Sequence, residues 1–287
     1  MSTDATVVIP ARNVVGYLGQ QLDALAAQDY DGTWEVVVAD NGSTDGTADL
    51  VLRRAAGFPV PLRVADASGG RGINVARNAG AAAATSARLL FCDADDLVVN
   101  GWVRAMVTAL DEYAIAGGPL DLTRLNSAWS LRARPIGAPN RINGFVFPIG
   151  ANLACRTEVW TSIGGFDEQF NVGGWDEAEF CYRAQVHGYR AGEAPDAVVQ
   201  YRLRDDRRSL VRQLWGVGRG EQVFRERYPE FLPARSVARD LVQLLRSVIG
   251  LSRRMVTVSP DRDFALGFCS VQAGRLYQAM HQWRGHR

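Results

Sequence analysis

Along the first hundred residues, short runs of β-branched and apolar residues alternate with longer stretches whose apolar positions recur every three or four residues. Thr6-Val-Val-Ile-Pro10 predicts a first strand, and a helix follows over about Tyr17 to Gln28 with Leu18, Leu22 and Leu25 on one face. Trp34-Glu-Val-Val-Val-Ala reads as a buried strand ending at Asp40. Asn41-Gly-Ser-Thr-Asp-Gly46 is a turn into a helix from about Thr47 to Arg54, with Ser43 or Thr44 as candidate caps. A third strand, Leu62 to Ala65, precedes an alanine-rich helix over about Ile73 to Ala84, and the apolar strand Arg88 to Cys92 runs straight into Asp93-Ala-Asp-Asp96. Strands alternating with helices predict an α/β fold, a parallel sheet flanked by helices.

The pattern then changes. From Gly117 to Phe147 the chain is irregular and rich in Gly, Pro, Asn and Arg, which predicts antiparallel strand mixed with loop. An ordered block from Gly150 to Arg204 carries Gly164-Gly-Phe-Asp167 and Trp175-Asp-Glu-Ala-Glu-Phe-Cys-Tyr-Arg183, and the tail from about Asp205 is helical, arginine-rich and interrupted by Pro229, Pro233 and Pro260. No internal repeat is visible.

Composition narrows the chemistry. A chain of 287 residues forms one large or two small domains, and a formal charge of +1 gives it no overall attraction to nucleic acid. All 32 basic residues are arginines. Without lysine there is no Walker-type phosphate loop, no Schiff base and no kinase phosphate lysine, so a bound phosphate must be held by arginine, backbone amides or a metal. Cys92, Cys155, Cys181 and Cys269 are scattered, which predicts reduced thiols rather than a disulfide framework or zinc site. The N-terminus lacks a basic leader, and the uncharged stretch from Ile142 to Cys155 is too short and too rich in Pro, Gly and Asn to span a membrane. The expected location is the cytoplasm, soluble or peripheral to a membrane.

Three carboxylates in four residues at a strand end repel one another, and a divalent cation would relieve that repulsion; the plainer reading of Asp93, Asp95 and Asp96 is a solvated acidic turn capping the next helix. Asp40, at another strand end, is placed to accept a hydrogen bond from a nucleobase or ribose, or simply to start its turn. Arg77 is the one long cation on a helix of small residues and is expected to point at a ligand or at the acidic cluster. In Trp175-Asp-Glu-Ala-Glu179, helical spacing puts Asp176 and Glu179 on one face and Glu177 elsewhere; the segment is either a stabilising acidic helix start or the source of a general base.

Taken together over residues 5 to 204, these segments resemble the family 2 inverting glycosyltransferases. The resemblance rests on Val8-Ile-Pro-Ala-Arg-Asn13, Val38 to Thr47, Gly72 to Gly80, Asp93 to Asp96, Gly150-Ala-Asn152, Gly164 to Asp167, and Trp175 to Arg183 followed by Gly188-Tyr189. It implies a GT-A fold: a Rossmann-like, mixed but mostly parallel sheet flanked by helices. Residues 1–204 would be catalytic, with a nucleotide-binding half at about 1–100 and an acceptor half at about 101–204, and residues 205–287 a helical C-terminal extension. Pro10, Arg12 and Asp40 would line the nucleotide pocket with Arg77 near it, and Asp93 and Asp95 would form the DXD element contacting ribose and a Mg²⁺ or Mn²⁺ ion. The base would fall on Glu177, with Asp176 as neighbour and alternative. Many relatives place a histidine ligand where this chain reads Val198-Val-Gln-Tyr-Arg202, which leaves the ion to carboxylate, diphosphate and water. The implied donor is a nucleotide-sugar, foremost a UDP-sugar, and the acceptor a hydroxyl of a glycan, a lipid-linked molecule or a natural product. The rival readings are a sugar nucleotidyltransferase and a non-catalytic nucleotide-sugar-binding partner subunit.

In the tail, Ser236 to Met255 reads as an amphipathic helix, with Val237, Leu241, Leu244, Leu245, Val248 and Leu251 on one side and Arg235, Arg239, Arg246, Arg253 and Arg254 nearby. It would lie on an anionic membrane or pack on the catalytic domain or a second subunit; packing is favoured because Asp240 interrupts the basic face. His187, His281 and His286 do not cluster and carry no expected role, and Trp129, Trp160 and Trp215 are expected in packing rather than sugar stacking.

Overall fold

The computed structural model describes residues 3–133, 141–170, 173–233, 235–256 and 262–285. They form two compact units, the first Met1–Arg124, Asn140–Gln169 and Glu177–Arg202, the second Leu125–Pro139, Phe170–Asp176 and Leu203–Arg287.

The chain opens with β1 (Ala5–Ala11), α1 (Val15–Ala26), β2 (Trp34–Asp40), α2 (Thr47–Ala55), β3 (Leu62–Asp66), α3 (Ile73–Ala83) and β4 (Arg88–Cys92). It continues through β5 (Leu97–Val98), α4 (Trp102–Glu112), β6 (Ile115–Gly117), β7 (Leu120–Asp121), α5 (Ala128–Ala133), β8 (Arg141–Ile142), β9 (Phe145–Val146), β10 (Asn152–Arg156) and α6 (Thr157–Ser162). Then come α7 (Asp176–Val186), β11 (Ala191–Glu193), β12 (Val199–Gln200), α8 (Arg207–Arg227), α9 (Val237–Val256) and α10 (Arg262–Gly285). Among the described residues, no helix is long and apolar enough to cross a membrane.

In the first unit a 7-stranded sheet runs β11-β6-β10-β4-β1-β2-β3. Strand β1 pairs in parallel with β2 and β4, and β2 with β3, whereas β10 runs antiparallel to both β4 and β6. A second sheet, β5-β12-β7, joins the segment after β4 to the end of the unit. The central strands read as unbroken apolar runs because both faces are covered: Val7, Val8, Ile9, Val36, Val37 and Val38 are all fully buried. Each such side chain contributes about 1.5–3 kcal/mol relative to exposure. Helix α3 comes close to the sheet only because Gly80 has no side chain; a Cβ there would overlap Val8.

The predicted strands and helices of the first hundred residues all form. Two expectations change. Gly46 precedes α2 with no side-chain cap, so neither Ser43 nor Thr44 caps it; both are bound to Asn13 instead. The segment Gly117–Phe147, read as strand and loop, also contains α5, whose Trp129 donates to Asp263 at 2.9 Å. Residues 134–140 of that segment lie outside the described residues, as does Pro260.

In the second unit, α8 begins under an Asp206 cap that accepts the Ser209 amide at 2.9 Å. Helices α8 and α10 meet backbone to backbone: a Cβ on Gly218 would overlap the Val271 carbonyl, and one on Gly274 the Trp215 carbonyl. Buried Glu221 between them receives Arg225 at 2.9 Å and also Arg275.

At the start of β2, buried Glu35 receives Thr6 at 2.9 Å and Arg63 at 2.9 Å. Burial alone would raise its pKa, but the hydrogen bonds from Arg63 and Thr6 outweigh it and the carboxyl titrates below its ordinary 4.5. The stabilisation this provides is complete above that value and is lost as pH falls through the lower, folded-state pKa. Accordingly, Glu35→Gln should lower stability by about 1 kcal/mol or more at neutral pH. In a pH series of thermal unfolding curves, the variant should lose less stability on acidification than the native chain.

Candidate active site

The carboxyl ends of β1, β2 and β4 lie side by side, since Ala11 pairs with Asp40 and Val8 with both Val37 and Phe91. Open α/β sheets bind ligands at such an edge. Pro10 is half-buried there, Arg12 is exposed, and Asp40 accepts the Ser43 amide through both carboxylate oxygens at 3.3 and 3.2 Å. The loops after β1 and β2 are laced together. Asn13, at a left-handed φ of 53°, accepts the Thr44 amide at 2.8 Å while its own amide donates to Ser43 Oγ at 3.0 Å. The first amides of α1 find their acceptors across the gap: Val14 donates to Thr47 and Val15 to Asp45, each at 3.0 Å. Asn41 extends the lacing by donating to the Ala67 and Gly70 carbonyls at 2.5 and 2.9 Å and accepting from the Gly72 amide.

Beyond β4 the chain turns through Asp93, Asp95 and Asp96, whose ligating oxygens all lie within 4.8 Å of one another. Three groups hold the turn. Gln21 of α1, fully buried, donates to the Asp93 carbonyl at 3.1 Å and accepts the Val98 amide at 3.0 Å. Arg202, just after β12, donates its amide to Asp96 Oδ1 at 2.7 Å and its Nε to the Asp95 carbonyl at 2.9 Å, with its guanidinium 5.1 Å from the Tyr17 ring centre. Arg77 is buried, its Nη2 3.9 Å from Asp93 Oδ1, with its guanidinium packed where a Cβ on Gly150 would be. The cation of α3 thus lies beside the acidic cluster. The oxygen-only donor set suits a hard divalent cation such as Mg²⁺ or Mn²⁺.

Helix α3 also fixes the Gly164 to Asp167 loop. Asn78 donates to the Phe166 carbonyl at 2.8 Å and accepts from the Phe166 amide and Trp160 Nε1, while Asn74 donates to the Asp167 carbonyl at 2.8 Å. Phe166 stacks on Phe180 of α7 at 4.3 Å and lies under Arg77 at 5.3 Å. Among the α7 acids, Glu179 is buried and bound by Arg183 at 2.6 and 2.9 Å, and Arg183 also donates to the Ile163 and Gly165 carbonyls. Glu179 is thereby committed to structure. Glu177 is half-buried and Asp176 buried. Burial pushes the Cys181 thiol well above its ordinary value, and Phe166, lying between Arg77 and Phe180, links the cation to α7 by packing.

In the second unit, the residues leading into α7 are seated on α8. Gly173, Gly174 and Trp175 all have positive φ, at 95°, 151° and 66°. A Cβ on Gly216 or Gly220 would overlap the Gly173 or Gly174 carbonyl, and Trp175 packs on Phe224 at 5.3 Å.

Gln21 and Arg202 are supporting residues to which sequence reasoning gave no role, and Asn152 entered it only as part of the Gly150-Ala-Asn152 motif. Asn152 is buried, accepts from Trp102 Nε1 at 2.8 Å and donates to the Pro119 and Ala197 carbonyls. Gln21 left a signal of its own, as a polar residue within the apolar stripe Leu18, Leu22, Leu25. The tryptophans pack as expected, with Trp160 on Asn78 and Trp215 against Tyr277. His187 Nδ1 sits 2.7 Å from the Arg183 carbonyl, and His286 lies outside the described residues.

A family model described as glycosyl transferase family 2 matches residues 6–166. The chain belongs to this family. The transferase is 26% identical over 230 residues to the succinoglycan biosynthesis protein ExoA of Rhizobium meliloti (strain 1021), covering 76% of this chain and 69% of that one. It is 25% identical over 229 residues to glycosyltransferase AglE of Haloferax volcanii, covering 75% and 72%. Among solved structures it resembles the mannosyltransferase PcManGT from Pyrobaculum calidifontis in complex with GDP-Man and Mn²⁺, with a TM-score of 0.63 at 21% identity over 95% of this chain and 87% of that one. It also resembles S. aureus TarS 1–349 in complex with UDP-GlcNAc, with a TM-score of 0.57 at 18% identity over 99% and 93%, and spans 44% of a longer TarS chain. The fold of the transferase is therefore GT-A, and its family makes it a glycosyltransferase, which sets aside the nucleotidyltransferase and non-catalytic readings.

The bracing of the acidic turn by α1 is directly testable. Gln21→Leu leaves the buried Val98 amide and Asp93 carbonyl without their partner, and chemical denaturation should show a loss of about 1–3 kcal/mol.

Proposed function

We propose that this glycosyltransferase moves a sugar from a nucleotide-sugar donor, foremost a UDP-sugar, to a hydroxyl of a glycan, lipid-linked or natural-product acceptor in one inverting displacement. The observation that carries the reading is the gathering of Asp93, Asp95 and Asp96 at the carboxyl end of β4, beside the ends of β1 and β2. Solved neighbours bound to GDP-Man and to UDP-GlcNAc support a nucleotide-sugar as the donor class. In this reading residues 1–100 bind the donor, residues 101–204 the acceptor, and residues 205–287 form the helical extension. Pro10, Arg12 and Asp40 line the nucleoside pocket.

Asp93 and Asp95 would hold the divalent ion, with Asp93 also at the ribose; Asp96 already accepts the Arg202 amide. A bound Mg²⁺ or Mn²⁺ ion would neutralise charge on the donor diphosphate. Arg77, fixed beneath the turn, keeps positive charge beside Asp93 and steadies the carboxylates. At α7, Glu177 takes the proton from the acceptor hydroxyl as its oxygen bonds to the anomeric carbon from the face opposite the diphosphate. The bond from that carbon to the diphosphate oxygen breaks with its electron pair, and the configuration inverts. Glu179 cannot serve as the base because Arg183 holds both of its oxygens. Asp176 is the neighbour whose removal tests the assignment.

Glu177→Gln should lower kcat by a factor of about 10² to 10⁴ and leave donor affinity within severalfold of native. Product formation and calorimetric donor binding read the two effects separately. Near-native turnover in that variant together with loss in Asp176→Asn would move the base to Asp176. Before that, a thermal-shift panel of UDP- and GDP-sugars with and without Mn²⁺ should show stabilisation by one donor that needs the ion. Stabilisation unaffected by Mn²⁺ would remove the ion from the reading.

A further inference from the structure

Helix α9 has one face turned inward and one turned to solvent, and the two differ sharply. Asp240, the only acid on the helix, is fully buried, where it accepts Arg235 Nε at 2.7 Å. Arg235 spans to Gln243 as well, at 2.6 Å, so the pair is held within the unit. The objection that Asp240 interrupts a basic surface therefore falls, because its carboxylate does not reach that surface.

On the outer face, Val237, Leu241, Val242, Leu245, Val248 and Ile249 are each between 44% and 54% exposed. At about 100° per residue they occupy one continuous arc of roughly 140°. Exposed Arg239 and Arg246 border that arc on one side. Arg253 and Arg254 have side chains outside the described residues. Six branched aliphatic side chains in one stripe are more than scattered surface exposure explains.

We infer that α9 is an interfacial helix that lays this face into the headgroup layer of an anionic lipid bilayer. The arginine border favours that occupant over a second copy of the chain. A two-fold pairing through the same face would bring two sets of Arg239 and Arg246 to one interface, with no acid of α9 there to neutralise them. A helix with an aliphatic stripe, an arginine border and no spanning character lies in the plane of the membrane, buried by about 5–10 Å. Anionic headgroups supply the charge the border needs. Such an anchor suits a lipid-linked acceptor, though its test does not depend on the reaction proposed above.

The experiment is flotation of the full chain with phosphatidylcholine vesicles, with and without phosphatidylglycerol, at low and high salt. The native chain should float with the phosphatidylglycerol vesicles at low salt, and more weakly as salt is raised. Arg239→Gln with Arg246→Gln should lower that partitioning about tenfold or more. Leu241→Glu with Leu245→Glu should abolish it, while circular dichroism and the melting temperature stay native because both positions are exposed. Failure of the native chain to float at low salt would overturn the inference, as would undiminished binding by the glutamate variant. Light scattering that shows a native dimer converted to monomer by the same glutamates, without vesicle binding, would make the face a self-interface instead.

Discussion

Asp93, Asp95 and Asp96 place three carboxylates within 4.8 Å at the end of a buried strand, and their mutual repulsion is the constraint around which the first unit is arranged. Held apart from any ligand, such a cluster would tend to open its turn. The fold resists this from beneath and from both sides. Gln21 reaches up from α1 to the backbone of the turn, Arg202 binds it from just beyond β12, the central strand of the second sheet, and Arg77 packs against Gly150 with its charge beside Asp93. The elements that supply these braces are far apart in the chain, so the geometry of the cluster reports on whether the whole unit is folded.

The arginine-only basic set matters at these positions. Arg183 binds both oxygens of one carboxylate and two carbonyls, and Arg202 combines a carbonyl hydrogen bond with packing over a tyrosine ring. A lysine ammonium would supply charge but not the planar fork that makes several directed bonds at once. The absence of lysine thus does more than exclude amine chemistry. It fills the interior junctions with a cation that orients as well as neutralises.

Much of the fold was legible because its strands are buried on both faces and bounded by polar residues. Strand β4 forms over Arg88–Cys92 as read, where the apolar run stops at Asp93. The acidic turn and the α7 acids could be located for the same reason, since each stands at an abrupt change of pattern. What the sequence did not disclose is long-range partnership. Ser43 and Thr44 look like caps for the helix after them, yet their partner is Asn13, about 30 residues earlier, and α1 takes its first acceptors from Asp45 and Thr47. Helix α5 is six residues long, and its tryptophan is anchored on Asp263, 134 residues later. Asp240 is a local exception: it reads as facing outward, yet its carboxylate is buried against Arg235, five residues earlier.

All four cysteines are free and buried, and burial raises the thiol pKa of Cys92, Cys155, Cys181 and Cys269 alike. Thiolate is the reactive form, so these native thiols are poor targets for alkylating reagents in the folded protein. With no lysine side chains to acylate, the surface offers little to the common covalent labels. One cysteine introduced at an exposed position of α9 or of the β1–α1 loop would therefore accept a fluorophore or spin label against a nearly silent background. A chain of this composition is, in effect, already prepared for single-site spectroscopy.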